Sequence, residues 1–167
     1  MASLLPLSGN LGKRLAKHLL RRASYNISKT RIEEFSNYTV SQAMAKLLDF
    51  PAKKLTQPIH YDTGAPWIND DPIYGPIDNT HGSGQIKLNN YLAGWWMDEA
   101  KRDTSLRAKM TYFLFTDFTT SIRTLNNEFH YDYLMLLEFF CVGDWKEFVY
   151  QMTKNNVMLK YLNNNEN

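Results

Sequence analysis

The sequence predicts an all-α protein, an irregular bundle of six to eight helices interrupted by one long Pro/Gly-rich loop at about 51–84. Apolar residues recur with helical periodicity in most of the remaining chain, and typical helix-capping residues precede several of these segments. No segment shows the alternation of apolar and polar residues that predicts a half-buried strand. With 167 residues and 44% hydrophobic content, the chain is long enough to bury a core as one domain, 1–167.

The first helix is predicted over residues 11–23. Its bulky apolar residues, Leu15, Leu19 and Leu20, share one arc of the helical wheel, and basic residues fill the opposite arc. Either Ser8 or Asn10 is predicted to cap its amino terminus, because both side chains can accept a hydrogen bond from a free amide.

The other helices are predicted from capping signals and apolar spacing. A short helix begins at about Thr30 with a Thr30–Glu33 capping box, and the next begins with the capping pair Thr39 and Gln42 and ends before Pro51. A helix at about 85–102 and a helix capped by Thr104 or Ser105 follow. The last three are a buried helix at about 129–142 closed by Gly143, a helix at 145–153 with the capping pair Asp144 and Glu147, and a last turn or two at 157–162.

The loop at 51–84 carries candidate metal ligands. It holds five of the six prolines and four of the eight glycines, so no helical period continues through it. His60, Asp62 and His81 are ligand types that suit zinc, manganese or iron. Their spacing matches no known metal motif, and Asp is also a common turn residue. A divalent metal site is therefore an alternative hypothesis, and no other cofactor is predicted.

Charge is distributed unevenly along the chain. Residues 1–54 contain ten Lys or Arg against three Asp or Glu, whereas residues 55–84 contain four Asp and no Lys or Arg. The candidate anion-binding residues are four side chains on the polar arc of the first helix: Lys13, Lys17, Arg21 and Arg22. A basic helix face can follow phosphates, but it is more often solvated or paired with carboxylates of the same protein. Nucleic acid is not an expected partner.

Composition excludes several classes of protein. The single cysteine, Cys141, lies in the apolar segment 134–142, so we predict a core residue and no intramolecular disulfide. No segment approaches the roughly 20 apolar residues that span a bilayer. The first residues do not resemble a signal peptide, because the charges of Lys13 and Arg14 follow the leucines instead of preceding them. These features predict a cytoplasmic protein.

Three motifs occur in order along the chain: Ala16–Tyr25, then Trp95–Met97 with Leu106–Phe113, and Met158–Asn164. Together they resemble the bacterial family named domain of unknown function 1800. Family members continue past this point, so the resemblance implies that the chain is the amino-terminal part of a larger protein. It also implies export for many members, and it implies no established activity.

The sequence departs from the family at one stretch. Many members have two histidines where this chain has Phe115 and Asp117, so no metal or acid–base role is transferred to these positions. Trp95 and Trp96, which follow each other in the predicted helix at about 85–102, are predicted to be core residues, because the aromatic residues there lie at helical spacing.

Whether the protein is an enzyme is left open by these patterns. The leading hypothesis is a helical scaffold or interaction module whose Met158, Leu159 and Leu162 expose apolar surface. Its expected partner is the missing carboxyl-terminal portion or another protein. One alternative is a subdomain of a metal-dependent enzyme whose site is completed by the missing carboxyl-terminal part. The other is phosphate or nucleic-acid binding through the basic first helix.

Overall fold

The computed structural model describes residues 7–50, 58–59, 82–121 and 127–164, and within these ranges the protein is helical with no β-strand. The helices are α1 (Gly12–Ala23), α2 (Lys29–Ser36), α3 (Val40–Leu47), α4 (Gly82–Arg102), α5 (Arg107–Asp117), α6 (Asn127–Phe140), α7 (Trp145–Met152) and α8 (Asn156–Tyr161). The predicted all-α class is confirmed, and the eight helices of the described ranges agree with the predicted six to eight.

The described residues form two compact units. The first unit takes its residues from 1–53 and 100–109, and the second takes its residues from 54–99 and 110–167. Each unit has its own hydrophobic cluster, so each is described by itself. That the whole chain acts as one domain stays a prediction.

The core of the first unit forms where α1 packs on α2. Leu20 and Ala16 of α1 are fully buried there, together with Phe35 and Leu47. Leu15 and Leu19 are partly buried against the same cluster, so the predicted apolar arc of α1 does face the core.

Two of the predicted caps in this unit are wrong, and one is confirmed. Neither Ser8 nor Asn10 caps α1. Instead, the helix follows Leu11, whose amide donates a hydrogen bond to the carbonyl of Tyr38 at 2.9 Å. Ser28 caps α2 by accepting from the Arg31 amide at 3.1 Å, because Ser28 has extended backbone whereas the predicted cap, Thr30, already lies in the helix. The capping box of Thr39 and Gln42 on α3 is confirmed.

A buried arginine connects separate segments of the first unit. Arg31 is only 8% exposed, and its guanidinium donates to the hydroxyl of Ser24 at 2.9 Å and to the carbonyl of Asn26 at 2.7 Å. It also donates to the carbonyl of Thr104, and it lies 5.2 Å from the centre of the Phe35 ring. Burial lowers the pKa of Arg31, and the charges of nearby carboxylates oppose that shift.

The neighbouring carboxylate of Asp103 organises the start of α5. One oxygen accepts from the Ser105 amide at 2.8 Å, and the other accepts from the Ala108 amide at 2.9 Å. The predicted cap Ser105 takes part as well, because its hydroxyl accepts from the Arg107 amide at 3.1 Å. Amides that would otherwise be unsatisfied at this helix end therefore have partners.

The core of the second unit is rich in aromatic residues. Phe148 is fully buried and its ring meets that of Phe118 edge-to-face at 4.9 Å. Tyr133 is buried beside them and donates its hydroxyl to the carbonyl of Phe118, and burial raises the pKa of Tyr133. Cys141 is 4% exposed in the same cluster, which confirms the prediction of a core cysteine.

Helix boundaries in the second unit differ from the predictions by a few residues. α4 begins at Gly82 instead of Gln85, so residues predicted as the end of the loop are helical. Asp144 caps α7 as predicted, because its side chain accepts from the Glu147 amide at 2.8 Å. The rest of the predicted loop, apart from residues 58–59, lies outside the described residues.

Candidate functional site

An apolar groove runs along α7 and α8 in the second unit, with a volume of about 270 Å³. Its apolar walls are formed by Phe118, Val149, Met152, Met158, Leu159 and Leu162. α7 turns Phe148 into the core, and its buried Met152 belongs both to the core and to the groove wall. Val149 lines the groove at the surface. The groove is therefore the outer edge of the same apolar packing that holds the unit together.

The end of α8 fixes one rim of this groove. Asn155 caps the helix by accepting from the amides of Val157 and Met158. At the other end, Asn163 has a positive φ of 56°, and the Asn164 amide donates to the carbonyl of Leu159 at 2.8 Å. This is the Schellman arrangement, in which a left-handed residue closes the helix and turns the chain. The turn holds Leu162 at the groove edge.

Large apolar side chains at the rim are open to solvent. Leu162 is 55% exposed, whereas Met158 and Leu159 are half-buried in the groove. Trp145 is 58% exposed one helical turn before Val149, and its ring is 5.9 Å from that of Phe118. Single exposed apolar residues are common, but a groove with apolar walls and exposed apolar rims is typical of an interaction site. The predicted residues of the apolar surface thus meet here, and the lining residues Val149 and Phe118 were not predicted.

The predicted anion-binding residues lie together on the outer face of α1 in the first unit. Lys13, Lys17, Arg21 and Arg22 are all exposed. Lys13 pairs with Glu33 at 3.8 Å, whereas the other three have no ion pair with a described residue. Arg22 acts electrostatically on Lys109: burial lowers the pKa of Lys109, and the positive charge of Arg22 lowers it further. Cations are thus concentrated here, and among the described residues only Lys13 has a carboxylate paired to it.

The predicted metal ligands His60, Asp62 and His81 lie outside the described residues, so the metal hypothesis stays a prediction. Elsewhere in the described chain, no three His, Cys, Asp or Glu side chains are grouped as a metal site requires. None of the helices in the described ranges combines the length and the apolar character needed to span a membrane.

The two positions that depart from the family pattern have different environments. Phe115 is half-buried among aromatic rings, 5.0 Å from Trp96 and 6.3 Å from Tyr133. Asp117 is exposed at the end of α5. Trp95 and Trp96 were predicted to be core residues. They pack against the core cluster as expected, but each is only half-buried.

A comparison with known protein families identifies the family of this chain. Residues 18–167 match the family described as a protein of unknown function, DUF1800. The chain therefore belongs to this family, as the three sequence motifs indicated. No curated protein and no solved structure shows significant similarity to it.

Proposed function

We propose that this protein is a helical interaction module whose apolar groove on α7 and α8 binds the apolar face of an amphipathic polypeptide helix. The observation that carries the proposal is the groove with exposed Leu162 at its rim, together with exposed Trp145 one helical turn before the lining residue Val149. Burying such side chains on binding is favourable, because each square ångström of apolar surface removed from water contributes about 25 cal/mol.

The chemistry of the groove favours a helix as the partner. Its walls come from helices whose terminal amides and carbonyls are largely satisfied by caps, so the groove offers side-chain contacts more than backbone hydrogen bonds. Grooves of this kind accept apolar side chains from one face of a helix, at spacings of three or four residues. The small volume of about 270 Å³ suits a few such side chains.

The test uses a labelled synthetic peptide of Leu, Ala, Glu and Lys whose leucines fall on one helical face. Fluorescence anisotropy is expected to show saturable binding to the purified chain. Leu162→Asp should weaken binding at least tenfold, because it places a carboxylate without a partner in the apolar contact. Tenfold corresponds to about 1.4 kcal/mol.

Two controls make this test specific. Leu48→Asp changes an exposed leucine of the first unit, 48% exposed, and should leave binding unchanged. A peptide with the same composition but scattered leucines should bind poorly. Equal binding of both peptides, or equal effects of the two variants, would contradict the proposal. A dimer of the chain that Leu162→Asp dissociates would identify a second copy as the occupant instead.

As a second candidate function, we propose that the outer face of α1 binds a phosphate-containing anion. The specific observation is that Lys17, Arg21 and Arg22 are exposed on one helix face with no described carboxylate paired to them. Burial lowers the pKa of Lys109, and the positive charge of Arg22 lowers it further. An anion placed between such cations would relieve their repulsion. The described residues of the first unit support this, with twelve Lys or Arg against four Asp or Glu.

Inorganic pyrophosphate, titrated by calorimetry, is the probe for this second candidate. Between about 20 and about 200 mM salt, the affinity for pyrophosphate is expected to fall by about an order of magnitude, because salt screens the attraction between the cations of α1 and the anion. Arg21→Gln/Arg22→Gln should abolish it, whereas Lys146→Gln/Lys160→Gln removes the same charge from exposed positions of the second unit and should not. If both double variants lose binding equally, net charge is responsible and α1 is not a site.

A further inference from the structure

A second cavity in the second unit is lined by aromatic side chains of α4, α5 and α6, and it is separate in its residues from the α7–α8 groove. Its volume is about 300 Å³, and its lining includes Trp96, Met97, Phe115, Thr120, His130 and Tyr133. The cavity opens to solvent beside Met97, which is 70% exposed. It reaches the lower end of the range for small-molecule sites.

Aromatic rings of this cavity lie against one another in its wall. Trp96 and Phe115 are tilted by 59° with centroids 5.0 Å apart, and Phe115 lies 6.3 Å from Tyr133. Trp96 and Phe115 are only half-buried, so part of each ring is left available. A further ring added at such distances gains favourable edge-to-face or offset contacts beyond burial of its area. At the mouth, Met97 is exposed, and its flexible thioether can adjust to a bound ring.

One polar atom in the cavity wall lacks a partner. The hydroxyl oxygen of Thr120 is buried, and it has no hydrogen-bond partner among the described residues. A ligand that supplies a donor or an acceptor to this oxygen would satisfy it. His130 is buried nearby in the lining, with its Nε2 atom 2.9 Å from the carbonyl of Ser121. Since a carbonyl only accepts, Nε2 carries a proton and the ring orientation is set by this contact.

The charge of the lining selects the class of ligand. None of the described lining residues is Asp, Glu, Lys or Arg. A charged ligand would lose its hydration without gaining a counter-charge, which is unfavourable. A neutral ligand with one hydrogen-bonding group would instead satisfy Thr120 and cover the aromatic faces.

We infer that this cavity binds a small neutral aromatic molecule that carries one hydroxyl or carbonyl group, with Thr120 as its hydrogen-bond partner. The site is independent of the proposed helix binding, because its described lining shares no residue with the groove.

The test measures binding of four probes to the purified chain by ligand-observed NMR: phenol, cyclohexanol, p-cresol and toluene. Phenol should bind more tightly than cyclohexanol, because only phenol has an aromatic face. p-Cresol should bind about three- to tenfold more tightly than toluene, the effect of one hydrogen bond. In Thr120→Val, which removes the hydroxyl at nearly constant shape, this advantage should disappear while toluene binding is retained.

A substitution that fills the cavity with a larger side chain tests whether the probes bind there. Ala93 lines the cavity and is half-buried, so Ala93→Phe should occupy the space and weaken p-cresol binding at least tenfold. Ala45→Phe makes the same change at an exposed position of α3 and should have no effect. Thermal melts confirm that each variant folds. Absence of binding up to millimolar probe, equal binding of phenol and cyclohexanol, an unchanged cresol advantage in Thr120→Val, or unchanged binding in a folded Ala93→Phe would each overturn the inference.

Discussion

Replacing Arg31 with methionine is expected to lower the free energy of unfolding of the first unit by about 3 to 5 kcal/mol, because buried acceptors lose a charged donor. The guanidinium donates to Ser24, Asn26 and Thr104, and the two carbonyls among these acceptors cannot turn toward solvent without moving the backbone. Methionine fills much of the same space, so the change removes the hydrogen bonds more than the packing. Urea denaturation followed by circular dichroism measures the loss.

Two further variants separate this effect from loss of charge. Arg21→Met makes the same substitution on an exposed arginine of α1 and should change stability by less than about 0.5 kcal/mol. Arg31→Lys keeps the charge but not the planar fork of donors, so it should also destabilise the unit. Hydrogen exchange should show faster opening in α1 and α2. Equal stability of Arg31→Met and Arg21→Met would mean that water replaces the guanidinium without cost.

Replacing Phe148 with alanine is expected to destabilise the second unit by about 3 to 5 kcal/mol, the usual range for deleting a buried ring. Phe148 is fully buried, and the rings of Phe118, Phe140 and Trp145 surround it at 4.9, 5.8 and 5.4 Å. The deletion removes the apolar contacts of the ring and leaves a cavity that these neighbours fill only in part. The measurement is again the midpoint and slope of urea unfolding.

The matched control for this prediction is Phe139→Ala. Phe139 is 73% exposed at the end of α6, so deletion of its ring should change stability by less than about 0.5 kcal/mol. Phe148→Leu should restore a large part of the loss, since leucine refills much of the cavity. A small effect of Phe148→Ala, comparable to that of Phe139→Ala, would contradict the packing described for this unit.

These stability variants also bear on the functional proposals. Phe148 is on the buried face of α7, whose exposed residues include Val149 and Trp145. Loss of peptide binding in Phe148→Ala would therefore reflect loss of the helix itself, whereas Leu162→Asp changes only a rim position. The surface variants, and not the core variants, test what the groove binds.

The candidate groove could be predicted from the sequence only in part. Met158, Leu159 and Leu162 were identified from their own apolar pattern, and all three line the groove. Its opposite wall comes from Phe118 and Val149, and nothing in the local sequence indicates that residues so far apart would meet. The basic residues of α1 were predicted to share a face and do so, since that depends only on helical periodicity. The candidate metal ligands at 60–81 stay untested.

The sequence by itself determined the all-α class, the caps at Thr39 and Asp144, and the burial of Cys141, because each depends on residues within about one helical turn or on one apolar segment. Only the tertiary structure decided the role of Arg31, which looks like an ordinary surface residue of a short helix until Thr104, 73 positions away, places its carbonyl beside it. It likewise decided that Leu11 starts α1 without a side-chain cap, through the carbonyl of Tyr38. Contacts between distant segments depend on how helices pack, and that information is not present in any short stretch of the chain.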